Sequence, residues 1–274
     1  MLRFLLALFA CALAFLAGAR GLALAPPRAA PAASFLDGVA KYEREADRDM
    51  NANLGLAALL YQDDDLLVYS KPNNAQTTPG FVAQDSLSSR IAERFNLTAH
   101  ERDQMVVHRL DYATSGVVVF ARNKDALTNL HSQFRLKKTY KRYTALVHGV
   151  FADSLEGEID LPLARDWERK PLNKVDVSER GKPSQTEWRV VARDAQRGVS
   201  LLHLRPLTGR THQLRVHMAA LGHPILGDLF YGSEEIYLSA RRLCLHAEEL
   251  RLLHPRTRIP MRIFDPCPFS LSDY

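Results

Sequence analysis

The nine residues His108–Gly116, "HRLDYATSG", separate two apolar segments, "MVV" before them and "VVVFAR" after them. A turn that serves only packing needs Gly, Asn or Pro, whereas this one carries the charged side chains of Arg109 and Asp111. In a strand-like backbone, residues two apart point to the same face, so these two side chains would be presented together. The stretch therefore predicts a reversal between two strands, "MVVHRL" and "GVVVFAR", that displays a cation beside a carboxylate.

The segments around this reversal predict short strands and few helices. Apolar runs flanking an acidic turn predict a hairpin, and apolar residues spaced three or four apart predict helices. The hairpin is "GLAALLYQDDDLLVYSKP"; the helices are "DSLSSRIAERF", capped by Asp85, and "KDALTNLHSQF"; further strands are "TYKRYTALVHG", "TEWRVVAR" and "VSLLHLRPL". This order favours an α+β fold with a mixed, mainly antiparallel sheet flanked by helices and loops.

A second polar stretch, "RPLTGRTHQLRVHMAALGHPILGD", covers Arg205–Asp228. It predicts a helix that Thr211 caps and that runs to Gly222. Arg215 follows directly on a residue of the buried stripe, and an arginine at the edge of a buried face is expected to pair with a carboxylate. A purely structural ion pair is the alternative to a functional one. The stripe consists of Leu214, Met218 and Leu221.

Length and composition are those of a globular protein. The chain has 274 residues, of which 46% are hydrophobic and 24% charged, and we expect one catalytic domain over residues 55–269 with a short tail at 270–274. The three cysteines, Cys11, Cys244 and Cys267, are far apart and form no CxxC or Cys/His cluster. Neither a metal site nor a disulfide framework is predicted.

The first 36 residues predict a targeting segment that is followed by a lead-in over 37–54. "FLLALFACALAFLAGA" is apolar and signal-like, and "RGLALAPPRAAPAASF" is rich in Ala and Pro, contains Arg and lacks acids, as a transit peptide does. The two in series predict delivery to a plastid, with a mitochondrion as the alternative and no membrane segment in the mature protein. An uncleaved anchor or a fortuitous apolar start are further alternatives. Of the net charge of +5, three units come from arginines in this segment, so overall charge says little about partners.

The local distribution of charge indicates more about binding partners than the net charge does. A basic stretch over residues 121–149 is interleaved with Tyr140 and Tyr143, and such a face can hold phosphates and stack on bases. A solvated surface is the alternative. The cations of the stretch are Arg122, Lys124, Arg135, Lys137, Lys138, Lys141 and Arg142, and a second group comprises Arg241, Arg242, Arg251, Arg256, Arg258 and Arg262.

Three motifs together resemble the RluA family of RNA pseudouridine synthases. They are "HRLDYATSG", "KRYTALVHG" with the K-x-Y pattern of Lys141 and Tyr143, and "LTGRTHQLRVHMAALGHPILGD". The resemblance runs from "LLYQDDDLLVYSKP" to "LHAEELRLLHP". It is greatest to the small members that lack an N-terminal S4 RNA-binding module, and residues 37–54 are too few to hold one. The pseudouridine synthase fold is thereby implied.

This resemblance implies that uridine in RNA is isomerised to pseudouridine without a metal or a cofactor. Asp111 matches the family's catalytic aspartate, and a carboxylate can attack or stabilise an electron-poor sugar carbon. Tyr143 matches the active-site tyrosine that packs on the uracil and moves a proton. Arg215 matches the basic residue that pairs with the aspartate, which would hold it ionised. A sugar ester, a uracil adduct and a glycal all remain open as intermediates.

The implied partner is a stem-loop of rRNA, tRNA or both, bound by a monomer. A uridine inside folded RNA must be turned out of its stack before it reacts, and Arg109 matches the family residue that fills the space left behind. Lys141, Arg210 and His212 are the further residues expected to contact RNA. His108, His212 and His217 are expected to make structural hydrogen bonds rather than to act as acids or bases.

Other functions fit the sequence less well. A glycosidase usually needs two carboxylates across one bond, and these motifs supply one. An inactive RNA-binding or chaperone protein on the same fold would keep the basic surfaces but lose Asp111, Tyr143 or Arg215, all of which are present. A secreted protein fits only the signal-like segment and would rarely meet structured cellular RNA.

Overall fold

The computed structural model describes residues 54–55, 57–80, 85–151, 154–169 and 172–274. The predicted targeting segment 1–36 and nearly all of the lead-in 37–54 lie outside these residues. The chain divides into two compact units. The N-terminal unit contains the described residues up to Tyr143 together with Leu245–Pro268, and the central unit contains Thr144–Cys244 and Phe269–Tyr274. Within the part of the chain that is described, no helix is both long and apolar enough to cross a bilayer.

The secondary structure is that of an α+β protein, as predicted. The helices are α1 (Leu87–Arg94), α2 (Ala99–Gln104), α3 (Lys124–Arg135), α4 (Gln213–Ala220) and α5 (Glu234–Leu238), followed by a 3₁₀ turn over Leu271–Asp273. The strands are β1 (Ala58–Gln62), β2 (Leu66–Lys71), β3 (Ser115–Ala121), β4 (Tyr140–His148), β5 (Glu156–Asp160), β6 (Leu163–Arg165), β7 (Asn173–Val175), β8 (Gln185–Asp194), β9 (Val199–Pro206), β10 (Leu245–Leu253) and β11 (Pro260–Phe264).

The N-terminal unit is built on a sheet with strand order β1-β2-β3-β10, and β11 pairs with β10. The β1–β2, β2–β3 and β10–β11 pairs are antiparallel, while β3 and β10 are parallel. The predicted hairpin is confirmed, and so is the mixed, mainly antiparallel sheet. Apolar clusters cover both faces of β3: Val118 and Phe120 pack with Ile91 of α1, and Val119 packs with Leu130 of α3.

Two local predictions in this unit are wrong. Helix α1 is capped by Ser86 rather than Asp85, because the Ser86 hydroxyl accepts the Ser89 N–H at 3.1 Å. The Asp85 carboxylate instead pairs with Arg90 at 3.0 Å.

The segment "MVVHRL" is not a strand, although β3 is. It forms one bridge, between Val106 and Phe120, and the ladder stops there. The next donor on β3, the Val119 N–H, is accepted at 3.1 Å by Nε2 of His108. A side chain thus replaces the backbone partner that a strand would have supplied.

The central unit holds a sheet with strand order β4-β9-β8-β5, in which the β8–β9 and β5–β8 pairs are antiparallel. Strands β6 and β7 form a separate antiparallel pair. Strand β4 begins in the N-terminal unit and continues here from Thr144. Trp188, Leu204 and Met218 are among the fully buried side chains of this unit.

Helix α4 differs from the prediction at its start and in its burial. Its N-cap is His212, in a left-handed conformation with φ of 55° and no side-chain cap bond, rather than Thr211. Gln213–Met218 are buried on every side, so the apolar stripe is not its only buried face. The polar side chains on the helix can be buried because each has partners, as described below.

Candidate active site

A buried lysine binds the backbone of the loop formed by residues 108–114. Lys71, at the end of β2, is fully buried. Its Nζ donates to the carbonyl oxygens of Pro72, Ala75 and Tyr112 at 2.8, 2.7 and 3.1 Å. The Ala75 N–H also donates to the Tyr112 oxygen at 3.2 Å. The backbone directly after Asp111 is therefore fixed by the β2 end of the sheet.

Side chains fix the same loop at two further points. The Thr77 hydroxyl donates to the Leu110 carbonyl at 2.9 Å and accepts the Leu110 N–H at 3.2 Å. At the other end, the Ser115 hydroxyl is 2.8 Å from Nδ1 of His246, whose Nε2 lies 2.9 Å from the Asp265 carbonyl oxygen. The loop contributes the Leu110 backbone and the Ser115 hydroxyl to these contacts, so it is positioned without using its charged side chains.

Asp111 and Tyr143 interact within the N-terminal unit. The Thr114 N–H donates to the Asp111 carbonyl at 3.1 Å, which closes the turn. The half-buried Asp111 carboxylate makes no hydrogen bond or ion pair with a described residue of its own unit. Tyr143 packs against the apolar cluster under α1. Burial, and then the charge of Asp111, raise the pKa of Tyr143 above its ordinary value of 10.0, so the phenol stays protonated at neutral pH.

Arg109 and Lys141 have different surroundings. Arg109 is exposed while Leu110 beside it is buried, so the loop turns its cation outward as predicted. Lys141 is half-buried, and burial followed by the charge of Lys137 lowers its pKa.

His108 is a structural histidine. Burial, and then the charge of Lys141, lower the pKa of His108 to about 3. A neutral ring is what its hydrogen bond requires, because Nε2 must be unprotonated to accept the Val119 N–H.

In the central unit, Arg215 is locked by Asp228. Its Nε and Nη2 donate to the two carboxylate oxygens at 2.7 and 2.6 Å, and both side chains are almost fully buried. Its guanidinium also lies 5.2 Å from the ring centres of Phe230 and Tyr231. Burial alone would raise the pKa of Asp228, but the charge and hydrogen bonds of Arg215 outweigh it and lower that pKa. The predicted carboxylate partner of Arg215 is thus present.

The other polar residues of α4 are satisfied within the unit. The Gln213 amide donates to Gln185 O at 2.8 Å and to the Thr186 hydroxyl at 3.0 Å. His217 places Nδ1 2.9 Å from the Thr186 hydroxyl and Nε2 3.1 Å from the Leu161 carbonyl oxygen. Burial lowers the pKa of His217 to about 4, so this network contains a neutral ring.

His212 and Arg210 stand at the turn before α4. His212 is nearly buried, and its Nδ1 lies 2.9 Å from the Tyr231 hydroxyl. Arg210 is exposed, and its Nε lies 3.4 Å from the Pro183 carbonyl oxygen. All three histidines named in the sequence analysis therefore make hydrogen bonds to the protein.

The structure places the seven predicted site residues in two groups. The N-terminal unit carries Asp111 and Tyr143, which interact, with Arg109 and Lys141 nearby in sequence. The central unit carries the remaining three, Arg210, His212 and Arg215. The expected pairing of Asp111 with Arg215 would join the two units and stays a prediction.

Four arginines of the two predicted basic groups are neutralised by internal ion pairs. Arg142, Arg251 and Arg262 converge on the buried carboxylate of Glu249 at 2.6 to 3.0 Å. Arg256 binds Asp65 at 2.7 Å. A structural role for these arginines is therefore favoured over a role in RNA binding. Exposed cations of the first stretch include Lys124, Arg135, Lys137 and Lys138.

Asp63, Asp65 and His254 bring possible metal-binding atoms within 4.8 Å of one another. Protein donors already occupy these atoms: Asp63 accepts from Tyr61 at 2.6 Å and lies 2.8 Å from Nε2 of His254, and Asp65 accepts from Arg256. This cluster ties the β1–β2 turn to the end of β10.

Sequence reasoning missed several residues that hold the site. Lys71, the lysine of "LLVYSKP", could have been noticed in the sequence because a charged residue there ends an apolar strand. Its three carbonyl acceptors, however, are brought together only in the folded chain. Asp228 stands at the end of a quoted motif, yet its partner lies 13 residues earlier. Thr77 and Tyr231 carry no sequence signal of their own.

Comparisons with known proteins agree with the predicted family. Residues 65–220 match the family described as RNA pseudouridylate synthase. A protein named dual-specificity RNA pseudouridine synthase RluA from Vibrio parahaemolyticus is 45% identical over 216 residues, covering 77% of this chain and 83% of that protein. The protein of the same name from Escherichia coli strain K12 is 45% identical over 213 residues, covering 77% and 93%.

Solved structures agree as well. Human RNA pseudouridylate synthase domain containing 1 has a TM-score of 0.65 and 31% identity, covering 79% of this chain and 85% of that one. Human RNA pseudouridylate synthase domain containing 4 shares the fold, with a TM-score of 0.61 and 24% identity over 82% of this chain and 94% of that one. The family match spans more than half of the chain, and the chain therefore belongs to the RNA pseudouridylate synthases, isomerases that convert uridine in RNA to pseudouridine.

Proposed function

We propose that this protein isomerises a uridine in a hairpin loop of rRNA, tRNA or both, with Asp111 as the catalytic carboxylate. The observation that carries this proposal is that the half-buried Asp111 carboxylate acts electrostatically on the partly buried, protonated phenol of Tyr143, and that its loop is fixed through the backbone. A carboxylate held in place without a donor from its own unit keeps its lone pairs for substrate.

The reaction needs one bond broken and one formed, with no change in oxidation state. The bond between uracil N1 and ribose C1′ breaks, and its electron pair leaves with the base. Asp111 attacks or electrostatically stabilises C1′ while the base turns. C5 then bonds to C1′, and, where Asp111 has attacked, the bond between its carboxylate oxygen and C1′ breaks and the carboxylate leaves with the electron pair. The proton on C5 is lost, and N1 gains a proton.

Tyr143 and Arg215 support this step in different ways. Tyr143 packs against the uracil and moves a proton during the rearrangement, and its raised pKa keeps the phenol neutral beside Asp111. Arg215 presents a guanidinium whose orientation Asp228 fixes. Asp228 accepts two of the five guanidinium N–H donors, and the pairing of Arg215 with Asp111 is the part of the proposal that the family resemblance implies.

The proposed RNA contacts are Arg109, Lys141, Arg210 and His212. Exposed Arg109 would enter the space that the flipped uridine leaves, since a stacked base cannot be reached. A bent loop can be recognised through its shape with few base-specific contacts. The term dual-specificity in the names of the RluA relatives supports more than one RNA substrate.

The test is isomerisation of defined RNAs in vitro. The purified protein is incubated with an rRNA stem-loop, a tRNA anticodon arm and an unstructured RNA of matched composition, and pseudouridine is mapped chemically. We expect product in the hairpin loops, and affinity that falls steeply with salt. Product confined to the unstructured RNA would contradict the substrate proposal. Binding without isomerisation would favour the alternative, an inactive RNA-binding or chaperone protein.

We further propose that the mature protein is a monomer without a membrane segment and works in an organelle, a plastid before a mitochondrion. Support comes from the signal-like and transit-like composition of residues 1–36. Fusing residues 1–45 to a fluorescent protein tests the location, and purely extracellular fluorescence would contradict it. Sedimentation equilibrium of the mature chain tests the monomer.

A further inference from the structure

The β6–β7 hairpin of the central unit has an ordered stem. Arg165 pairs with Asn173 across the two strands, and the Asp166 N–H donates to Leu172 O at 2.9 Å. The Asp166 carboxylate is buried and accepts from Arg169 Nε at 3.0 Å. A buried aspartate with a charged donor fixes the chain just before the tip.

An aromatic residue stands exposed beside this buried aspartate. Trp167 is 62% exposed, one of the most exposed large apolar side chains among the described residues. The Arg165 guanidinium lies 5.3 Å from the centre of its ring. In the described chain, no carboxylate lies within ion-pair distance of Arg165, so its charge is not neutralised.

The hairpin is bound to the turn that carries the proposed RNA-contacting residues. The Asn173 side chain donates to the Thr211 carbonyl at 2.8 Å, and its backbone N–H donates to the Tyr231 hydroxyl at 3.0 Å. The same hydroxyl lies 2.9 Å from His212. Trp167 is therefore displayed on an element anchored at the start of α4, and these contacts all lie within the central unit.

We propose that Trp167 stacks on an unpaired nucleobase of the substrate RNA and that Arg165 binds the adjacent phosphate. Aromatic rings beside cations are the usual platform for single-stranded nucleotides, because every base offers a π-face. The inference rests on the proposed function, since it concerns a nucleotide of the same RNA loop outside the reacting uridine.

A second exposed aromatic residue, Phe264, shows why it matters whether the neighbouring arginine is paired with a carboxylate. Phe264 is 46% exposed and has the Arg262 guanidinium 5.8 Å from its ring centre. That guanidinium is bound to the buried Glu249 carboxylate at 2.7 Å, so it offers a phosphate far less than Arg165 does. Phe264 is thus the matched control for Trp167.

The first experiment compares Trp167→Ala with Phe264→Ala in the full chain. Affinity for an RNA stem-loop is measured at fixed salt in an Asp111→Asn background, so that binding is read without turnover. We expect Trp167→Ala to raise Kd about 5- to 100-fold and Phe264→Ala to leave it unchanged. Thermal unfolding should be the same for both, because neither residue is buried. Equal affinity of Trp167→Ala and its parent would overturn the inference.

The second experiment uses tryptophan emission. The chain has two tryptophans, and the other one, Trp188, is 2% exposed. Stacking on a base should quench Trp167 when RNA is titrated, whereas Trp167→Phe should lose the quench and keep part of the affinity. Unchanged emission of the wild-type protein at saturating RNA would also overturn the inference.

The outcomes separate this inference from the proposed function. RNA that binds and quenches Trp167 without yielding pseudouridine would defeat the proposed function alone. Normal isomerisation by Trp167→Ala with unaltered affinity would defeat the stacking inference alone and would leave the hairpin as a surface for another macromolecule, such as a protein.

Discussion

The two groups of predicted site residues, one in each unit, are held by opposite means. In the N-terminal unit, the loop of residues 108–114 is fixed through its backbone by Lys71 and Thr77. In the central unit, the start of α4 is fixed through its side chains, above all by the Arg215–Asp228 pair. The first arrangement leaves the Asp111 carboxylate without a donor from its own unit, whereas the second commits most polar atoms to the protein.

This difference predicts how each part responds to substitution. Removing a side chain that the fold does not use should affect chemistry and spare stability. Removing one that the fold depends on should affect stability first and activity as a consequence. Asp111 and Arg215 are the sharpest cases of the two kinds.

We expect the largest effect from Asp111→Asn. The change keeps the size of the side chain but removes the negative charge, so single-turnover pseudouridine formation should fall by roughly 10³-fold or more, the scale of losing a reacting side chain. RNA affinity should stay within a few-fold, because phosphate contacts supply most of it. The unfolding temperature should not fall.

A normal single-turnover rate for Asp111→Asn would break the assignment of this residue. A marked loss of stability would break the comparison instead, since it would mean that the fold depends on the carboxylate.

Arg215→Ala should have the next largest effect, now on stability. It leaves the buried Asp228 carboxylate without its cation, which costs about 3–5 kcal/mol. The double variant Arg215→Met/Asp228→Asn removes both charges and keeps an oxygen for the N–H groups of Phe230 and Tyr231 that Asp228 accepts at 2.9 and 3.1 Å.

The double variant should therefore recover most of the free energy of unfolding while its activity stays low. Chemical denaturation and single-turnover rates measure the two properties separately. Recovery of activity together with stability would show that Arg215 serves only the fold, which is the alternative that the sequence left open.

The sequence predicts those features that depend on local pattern. The β1–β2 hairpin, α3 and strands β4, β8 and β9 follow from apolar spacing, and they formed where predicted. The failures arise where a distant group satisfies the backbone. "MVVHRL" is not a strand because a His108 ring nitrogen accepts the Val119 N–H, and no periodicity signals such a replacement.

The site shows the same limit. That Asp111 stands in a displayed turn could be predicted from one motif. That its loop rests on Lys71, or that Arg215 binds Asp228, depends on contacts between segments that only the folded chain brings together. Trp167 carried no periodic signal, and its exposure became visible only in the structure.

Thr77→Val tests the backbone support of the loop. Valine keeps the shape but lacks the hydroxyl, which leaves both the N–H and the carbonyl of buried Leu110 without this partner. We expect a loss of about 1–3 kcal/mol in the free energy of unfolding, with a lower isomerisation rate because Asp111 follows Leu110 directly. Thr77→Ser keeps the hydroxyl and is the control. If Val and Ser at this position gave equal stability, the hydroxyl would not be what holds the loop.

The smallest effect expected is a pH dependence carried by the buried histidine of α4. The pKa of His217 is lowered from 6.5 to about 4 in the fold, so between these values the unfolded chain binds a proton that the folded chain does not. The stability that depends on the neutral ring is fully present above pH 6.5 and is lost as the pH falls toward 4. The loss from this group is about 2 kcal/mol between pH 7 and pH 5, but under about 1 kcal/mol between pH 7 and pH 6.

Urea denaturation across this pH range measures the loss, with His217→Gln as the variant that no longer titrates. The slope of stability against pH should flatten in that variant, although its stability at pH 7 will be lower because the hydrogen bonds to Thr186 and Leu161 change. An unaltered slope would mean that the stability of α4 does not depend on the neutral His217 ring. The contrast between side-chain support in the central unit and backbone support in the N-terminal unit would then rest on Arg215 and Asp228 alone.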